Sequence, residues 1–375
     1  MRRGKGTYRR LGIGFSLALS ALLLVAAATG CTARKAAETN GPEGPPTAGN
    51  GGVYQAIVDG RYTGEAGALF DGAKMYGTIQ EALNDAPLGR AEPYKIFIKN
   101  GTYREKLVVN KPHIWLIGES AEQTKIVYDL AAGHKKPDGS EWGTDCATVT
   151  VLGGYFTAEN LTIENAFDYM ANMKKPDGDP TKVAAQALAL RVDGASNHAV
   201  FRNVRLRSWQ DTLLANKGTQ YYVNCTIEGA VDFIYGGGQA VFDHCTIVSL
   251  DRGSQTNNGY ITAASTPASQ KYGFLFIDCR LVKEHPDMAD GTVSLGRPWH
   301  NVPHVVFKNC YMDSHISAAG WVPMSGNSPA DARLFEYGST GPGALASETR
   351  RVLTDEAAKE YTIANVLGGW NPAVR

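Results

Sequence analysis

One short unit recurs six times in this chain, and that recurrence limits the fold more than any other feature. It appears as Asn160-Leu161-Thr162-Ile163, Asn203-Val204-Arg205-Leu206, Asn224-Cys225-Thr226-Ile227, His244-Cys245-Thr246-Ile247, Asp278-Cys279-Arg280-Leu281 and Asn309-Cys310-Tyr311-Met312. Each unit alternates polar and apolar residues, as a strand with one buried face does. Asn203 and Asn224 are 21 residues apart, Asn224 and His244 are 20 apart, and Asn160 and Asn203 are 43 apart, about two such periods. The later gaps, 34 and 31, need one period plus an insertion. A period near twenty residues with one strand in phase predicts a solenoid of stacked parallel strands, each coil burying its inner face against its neighbours. The leucine-rich horseshoe has a similar period, but its Leu consensus is missing. The expected fold is all-β: a right-handed parallel β-helix, one domain with short flanking helices and loops. A β-sandwich with chance spacing is the alternative.

Outside the repeat, Thr78 to Ala86 reads as a short amphipathic helix with Ile79, Ala82, Leu83 and Ala86 on one face. Tyr94 to Lys99 reads as a strand ending at the turn Asn100-Gly101. Tyr103 and Glu105 are expected to order the start of the helix. After about residue 330 the pattern predicts loops and a short helix near Asp355 to Tyr361, covering one side of the solenoid.

The N-terminus reads as a processing signal. Arg2, Arg3, Lys5, Arg9 and Arg10 precede an apolar run from Leu11 to Ala28, then Ala28-Thr29-Gly30-Cys31. That layout is secretory, and small residues before a cysteine resemble a bacterial lipoprotein signal with Cys31 lipidated. An ordinary signal peptide with an incidental cysteine, or an uncleaved anchor, is the alternative. The expected organisation is therefore 1–31 signal and lipidation site, 32–52 flexible linker, and 53–375 the β-helix domain. The linker is rich in Gly, Pro, Thr and Asn and lacks apolar periodicity. An exported chain tethered to a membrane, in a bacterial outer-membrane setting, is the expected location. Lys+Arg and Asp+Glu are both 37, so no long-range field favours nucleic acid, and a charged substrate must be recognised locally. A monomer is expected.

Five cysteines follow Cys31: Cys146, Cys225, Cys245, Cys279 and Cys310. None has close CxxC spacing and the eight histidines form no cluster, so neither a metal nor another cofactor is expected. Cys225 and Cys245 lie one coil apart at one phase. Strands about 4.8 Å apart bring their Cα atoms within the range a disulfide needs. A ladder of buried free thiols fits that spacing nearly as well.

The same arithmetic pairs two carboxylates. Asp211 lies eight residues after Asn203, and Asp232 eight after Asn224, so the two should stack on adjacent strands. Both cannot ionise cheaply, so one pKa rises. The split yields a nucleophile or base and a proton donor; a cation site or a solvated pair is the bland reading. Val231-Asp232-Phe233-Ile234-Tyr235-Gly236 is otherwise apolar, which raises the Asp232 pKa unless a cation compensates. Gln186, 24 residues before Gln210, brings a second neutral amide near the pair. Neutral donors suit an oxyanion better than a metal.

Five segments, in order, resemble the pectin methylesterases: Gly101-Thr102-Tyr103-Arg104-Glu105, Gln186 to Leu190, Gln210-Asp211-Thr212-Leu213, Asp232-Phe233-Ile234-Tyr235-Gly236 and Leu295-Gly296-Arg297-Pro298-Trp299. The resemblance covers about residues 55–370. It implies demethylation of methyl-esterified homogalacturonan, as pectin or its oligomers. It implies Asp232 as nucleophile, Asp211 as acid then base, Gln210 as oxyanion stabiliser assisted by Gln186, and Arg297 as the partner that orients Asp232 and keeps it ionised. Trp299 resembles a platform for a sugar ring, and Thr144 a substrate contact. Val231, Arg252, Asn258, Tyr260, Trp321 and Met324 lie where bacterial relatives line their groove, and about half should touch substrate. A Cys225–Cys245 disulfide is common in the family. Two departures, Tyr235 for a commoner Phe and Leu188 for Val, are expected to touch no reacting group.

Other classes fit less well. A pectate lyase needs an acidic calcium site with basic residues for proton abstraction. A polygalacturonase needs several clustered aspartates. A thioesterase-like hydrolase of the same fold lacks the Gln-Asp pair, and a non-catalytic glycan-binding lipoprotein would not need the acid, nucleophile and arginine together.

Overall fold

In the computed structural model, residues 54–300 and 302–372 are described. The signal, Cys31 and the linker to residue 52 lie outside the described residues.

The repeat's fourth residues stand in one in-register column. Ile163 pairs with Leu206, Leu206 with Ile227, Ile227 with Ile247, Ile247 with Leu281 and Leu281 with Met312, all in parallel ladders. One turn of chain therefore returns to the same place in the next coil, and the fold is a parallel β-helix. Its walls form a sheet of eighteen strands and one of seven. Only the short pair Leu69–Phe70 and Ala73–Tyr76 is antiparallel among the named strands.

The first residue of each unit does something the alternation did not reveal. Asn160, Asn203, Asn224, His244, Asp278 and Asn309 all have positive φ, between 50° and 55°. The large sheet bends there: Thr157–Asn165 and Ala199–Arg207 run through the bend, and the next coil splits into Thr219–Val223 and Thr226–Gly229 around it. An L-residue in this left-handed region is costly unless it is Gly, Asn, Asp or His. The polar residue that opens each unit is thus a corner requirement. At the first of these corners Asn203 Nδ2 donates to Asn160 Oδ1 at 2.9 Å.

Inside, rings stack at the strand spacing. Phe201, Tyr222, Phe242, Phe276 and Phe307 form a column with centroids 4.6, 4.8, 4.4 and 4.5 Å apart in turn. Each such pair contributes about 0.5–1.5 kcal/mol beyond its buried area. Beside it runs the column Cys225, Cys245, Cys279 and Cys310. All four are buried free thiols, so the family's Cys225–Cys245 disulfide is not formed here. Each thiol instead donates to a carbonyl of the coil before it: Cys225 to Phe201 O at 3.4 Å, Cys245 to Tyr222 O at 3.4 Å and Cys279 to Phe242 O at 3.2 Å.

The predicted helix forms at Ile79–Asp85, with a capping box between Thr78 and Glu81, and buries Ile79, Ala82 and Leu83. Glu105 accepts the Ile79 and Gln80 N–H groups at 2.9 and 2.8 Å, so it does order the helix start. At the other end Arg333–Tyr337 continues the large sheet as a strand rather than a loop. Two helical turns come after it, Asp355–Ala358 and Ile363–Val366. Val366 and Leu367 pack on Val200, Tyr221, Val241, Leu275 and Val306, covering the outer face of that sheet.

The seven-stranded sheet positions the site. Its strands run in chain order: Leu107–Val109, Val149–Val151, Leu190–Val192, Leu213–Ala215, Val231–Gly236, Gly259–Ala264 and Val293–Gly296.

Candidate active site

Asp211 and Asp232 are brought together by the register of two neighbouring strands. Leu213 pairs with Ile234 and Leu214 with Tyr235, so the aspartates, two residues earlier, stand one above the other. Both have left-handed backbone, with φ of 63° and 50°. At Asp232 the ladder slips: Val231 pairs with Tyr260 but Ile234 with Thr262, three residues against two. This is a β-bulge, which bends a strand and re-aims a side chain. Beyond it, Phe233 and Ile234 are consecutive yet both lie in the core, which frees Asp232 to face outward. Gly229 makes room for the bulge, because a Cβ there would lie 2.2 Å from Phe233 Cβ.

Asp232 is only 6 % exposed. Arg297, just past the last strand of the sheet, grips it through two bonds, Nε to Oδ1 at 2.8 Å and Nη2 to Oδ2 at 2.5 Å. The guanidinium lies over the Tyr260 ring, 3.9 Å from its centroid, and Asn257 donates to the Tyr260 hydroxyl at 2.7 Å. Burial pushes the Asp232 carboxyl up, and the Arg297 fork opposes it; the net direction is up. Asp211 is pushed much further, by burial and by the charge of Asp232. The pair therefore splits: the proton resides on Asp211 and the charge on Asp232, beside its guanidinium.

Gln186 and Gln210 are half-buried on adjacent coils, tied by the Ala187 N–H donating to Gln210 O at 3.0 Å. Gln210 also forms a parallel bridge to Val231. A patch of Cys146, Ala147, Leu188, Leu214, Tyr235 and Ala263 floors the cleft, with Trp142 and Trp299 half-buried against it. Trp299 meets the edge of Tyr235 at 5.6 Å. Thr144 sits exposed in the single turn Gly143–Cys146.

The remaining groove candidates divide. Val231 packs with Ala230 and Leu250, and Tyr260 packs against them. Arg252 is half-buried over the Tyr169 ring, 6.0 Å from its centroid, and Met324 is half-buried. Asn258, by contrast, is wholly buried. Its amide holds the 252–258 loop, accepting from Arg252 and Ser254 N–H and donating to Thr292 Oγ1, each at 3.0 Å. Trp321, 3 % exposed, belongs to the core and lies 6.0 Å from Phe307. Both support the cleft from beneath and present no surface to it.

Sequence reasoning passes over two features. Tyr169, from the helix Tyr169–Lys174, stacks on Trp209 at 5.7 Å and 8° beside Arg252; nothing in its local pattern marks it. Tyr235, expected to touch no reacting group, has its hydroxyl close enough to Asp211 to lower that carboxyl's pKa against burial. The signal is present in the chain: Tyr235 sits three residues after Asp232 and one coil from Leu214, on the outward row.

One group elsewhere, Asp243, His244 and Asp278, has potential ligand atoms within 4.8 Å of one another. Asp243 already binds the Tyr221 hydroxyl at 2.5 Å and His244 Nδ1 at 2.6 Å.

Comparison with known proteins gives a consistent picture. The sequence model of the pectinesterase family matches residues 67–369. Pectinesterase A of Dickeya chrysanthemi is 39% identical over 350 residues, spanning 86% of this chain and 95% of the relative. Among solved structures, a pectin methylesterase from Yersinia enterocolitica is 41% identical, with a TM-score of 0.74, across 79% of this chain and 99% of that one. A pectin methylesterase in complex with a hexasaccharide is 37% identical, with a TM-score of 0.77, across 86% of this chain and 99% of that one.

Proposed function

The chain belongs to the pectinesterase family, and from that premise we propose how its cleft hydrolyses a galacturonate methyl ester. The protein is a carboxylic ester hydrolase that demethylates methyl-esterified pectin and releases methanol. The observation that carries the mechanism is the bidentate Arg297–Asp232 pair beside a second carboxyl, Asp211, that burial keeps protonated.

Asp232, charged and oriented by Arg297, attacks the C6 carbonyl of the sugar. The carbonyl oxygen gains charge and is met by the amides of Gln210 and Gln186. As the C–OCH3 bond breaks, its electron pair goes to the methoxy oxygen and the Asp211 proton joins it, so methanol leaves. Asp211, now anionic, takes a proton from water, and the hydroxide formed releases the acyl group from Asp232. Both carboxyls return to their starting states. Trp299 packs against the sugar, and Thr144, Val231, Arg252, Tyr260 and Met324 line its path. The substrate is methyl-esterified pectin or its oligomers.

We also infer, from the sequence alone, that residues 1–31 export the chain and that a lipid on Cys31 tethers a monomeric enzyme to the outer membrane. Labelling with a radioactive fatty acid, lost in Cys31→Ala, tests this; unchanged labelling sinks it.

The test of the mechanism is methanol release from highly methylated pectin and from methylated oligogalacturonides. Wild-type enzyme should act, and Asp232→Ala should lose on the order of 10⁴-fold or more with its thermal unfolding intact. Substantial turnover by a folded Asp232→Ala would reject Asp232 as nucleophile.

A further inference from the structure

Tyr235 stands in a row of outward side chains on the seven-stranded sheet. Thr150 pairs with Arg191, Arg191 with Leu214, Leu214 with Tyr235 and Tyr235 with Ala263. Leu214 and Ala263 flank the Tyr235 ring, and Trp299 meets it at 5.6 Å and 65°, so the ring has little freedom. Tyr235 is 3 % exposed, and its hydroxyl oxygen is buried with no hydrogen-bond partner among the described residues. Phenylalanine would fill the same space with no polar atom to desolvate, and an unmade bond on a buried hydroxyl is destabilising. A function for that oxygen is therefore the economical explanation of the tyrosine.

What the hydroxyl faces is Asp211. Each perturbs the other: Tyr235 pulls the Asp211 carboxyl down, and burial together with Asp211 pushes the phenol well above 10. The phenol thus keeps its proton and is able to donate it to a carboxylate in a hydrogen bond. In the structure the Tyr235 hydroxyl closes no hydrogen bond, although it lies close enough to Asp211 to act on its carboxyl. Once Asp211 has given its proton to methanol it is an anion in a buried site, where a donor is worth more because the bond becomes charge-assisted.

We propose that the Tyr235 hydroxyl is a positioning group for Asp211, closing a hydrogen bond onto one carboxyl oxygen as the other passes its proton to departing methanol. The proposal rests on the acid and base role given to Asp211. No bond to Tyr235 forms or breaks. The proton moves from Asp211 to the methoxy oxygen, and the phenol only steadies the carboxylate left behind. It also holds that carboxylate's free oxygen toward the water that hydrolyses the acyl group. The cleft in which this occurs is floored by Leu214 and Cys146. The Cys146 thiol is turned to Gln186 O at 3.7 Å, so Tyr235 supplies the donor here.

Tyr235→Phe removes one oxygen and leaves the packing. The experiment tracks kcat and KM on methylated oligogalacturonides from acid to alkaline pH, for wild type, Tyr235→Phe and Asp211→Asn. Without the hydroxyl the Asp211 carboxyl holds its proton to higher pH. The alkaline limb of kcat/KM should then move up by roughly one unit, and kcat should fall roughly tenfold with KM unchanged. An unmoved limb, with or without a change in kcat, overturns the proposal and leaves Tyr235 as packing alone. Asp211→Asn separates the two readings. If it stays active, the role of Asp211 itself fails; if it is inactive while Tyr235→Phe matches wild type, only the role of Tyr235 fails.

Discussion

Two columns of left-handed residues run up this molecule, and they serve opposite ends. At the corner of the large sheet, Asn203, Asn224, His244, Asp278 and Asn309 recur coil after coil, all exposed. On the seven-stranded sheet, Asp211 and Asp232 adopt the same conformation one coil apart, one half-buried and the other 6 % exposed. The backbone device is identical. At the corner, water solvates the polar groups and the strain only turns the chain. In the cleft, the same turn aims two carboxyls at each other under Arg297 and Trp299. Those covering residues come from the longer, irregular coils. The regular repeats build the scaffold and stack the two carboxyls, and the irregular coils supply the arginine and tryptophan that cover them.

The sharpest way to break that comparison is at the fork. Arg297→Lys keeps a charge over Tyr260 but cannot reproduce two parallel bonds to Asp232. Turnover should drop roughly 10²-fold without loss of fold, read as kcat against the thermal midpoint. Near-normal kcat would mean that charge alone, rather than orientation, serves Asp232.

Asp211→Asn should abolish useful turnover yet stabilise the protein, because a carboxyl in that site resists ionisation. The folded pKa lies above the ordinary value of 3.8. Above that pH the unfolded chain releases the proton while the folded chain retains it, so stability is lost as pH climbs toward the folded pKa. An amide has no such loss. The variant's gain should be absent at pH 3 and about 1 kcal/mol at pH 7, measured by urea unfolding at both. A gain equal at the two pH values would show that burial of the carboxyl is not its source.

The corner column should move stability alone, with no effect on catalysis. Asn224→Ala places a Cβ residue of poor left-handed propensity at φ 53° and should cost about 1–2 kcal/mol. Asn224→Gly, free of that penalty, should stay within about 0.5 kcal/mol of wild type. If both unfold alike, conformation at the corner is not what selects the residue.

Much of the fold was legible because a solenoid's period is written directly into its sequence. The in-phase units marked the coils, and the N-terminal helix came from its apolar face; its cap was found only in the structure. What alternation concealed was the corner. A polar first residue looks the same whether it points to water from a straight strand or turns the chain through positive φ. The cysteines expose a second limit. Equal phase put Cys225 and Cys245 one coil apart, but spacing alone left a disulfide and two free thiols open, and in the structure each thiol donates to a carbonyl of the coil before it.

The site divides along the same line. The 21-residue offset between Asp211 and Asp232 fixed their stacking, because neighbouring coils repeat every contact made by the backbone. Arg297 is 65 residues from Asp232 and lies beyond an irregular coil, so motif resemblance could name it but no period could place it. Asn258 and Trp321 were groove candidates by position, and only packing turned both toward the interior. Tyr235 shows the limit most clearly. The sequence determined that a hydroxyl would stand on the nucleophile's own strand, three residues after Asp232. Only the bulge at Asp232 and the neighbours of the ring decided that the hydroxyl would be buried, unpartnered and set against Asp211, because the direction of a side chain is settled by what packs around it.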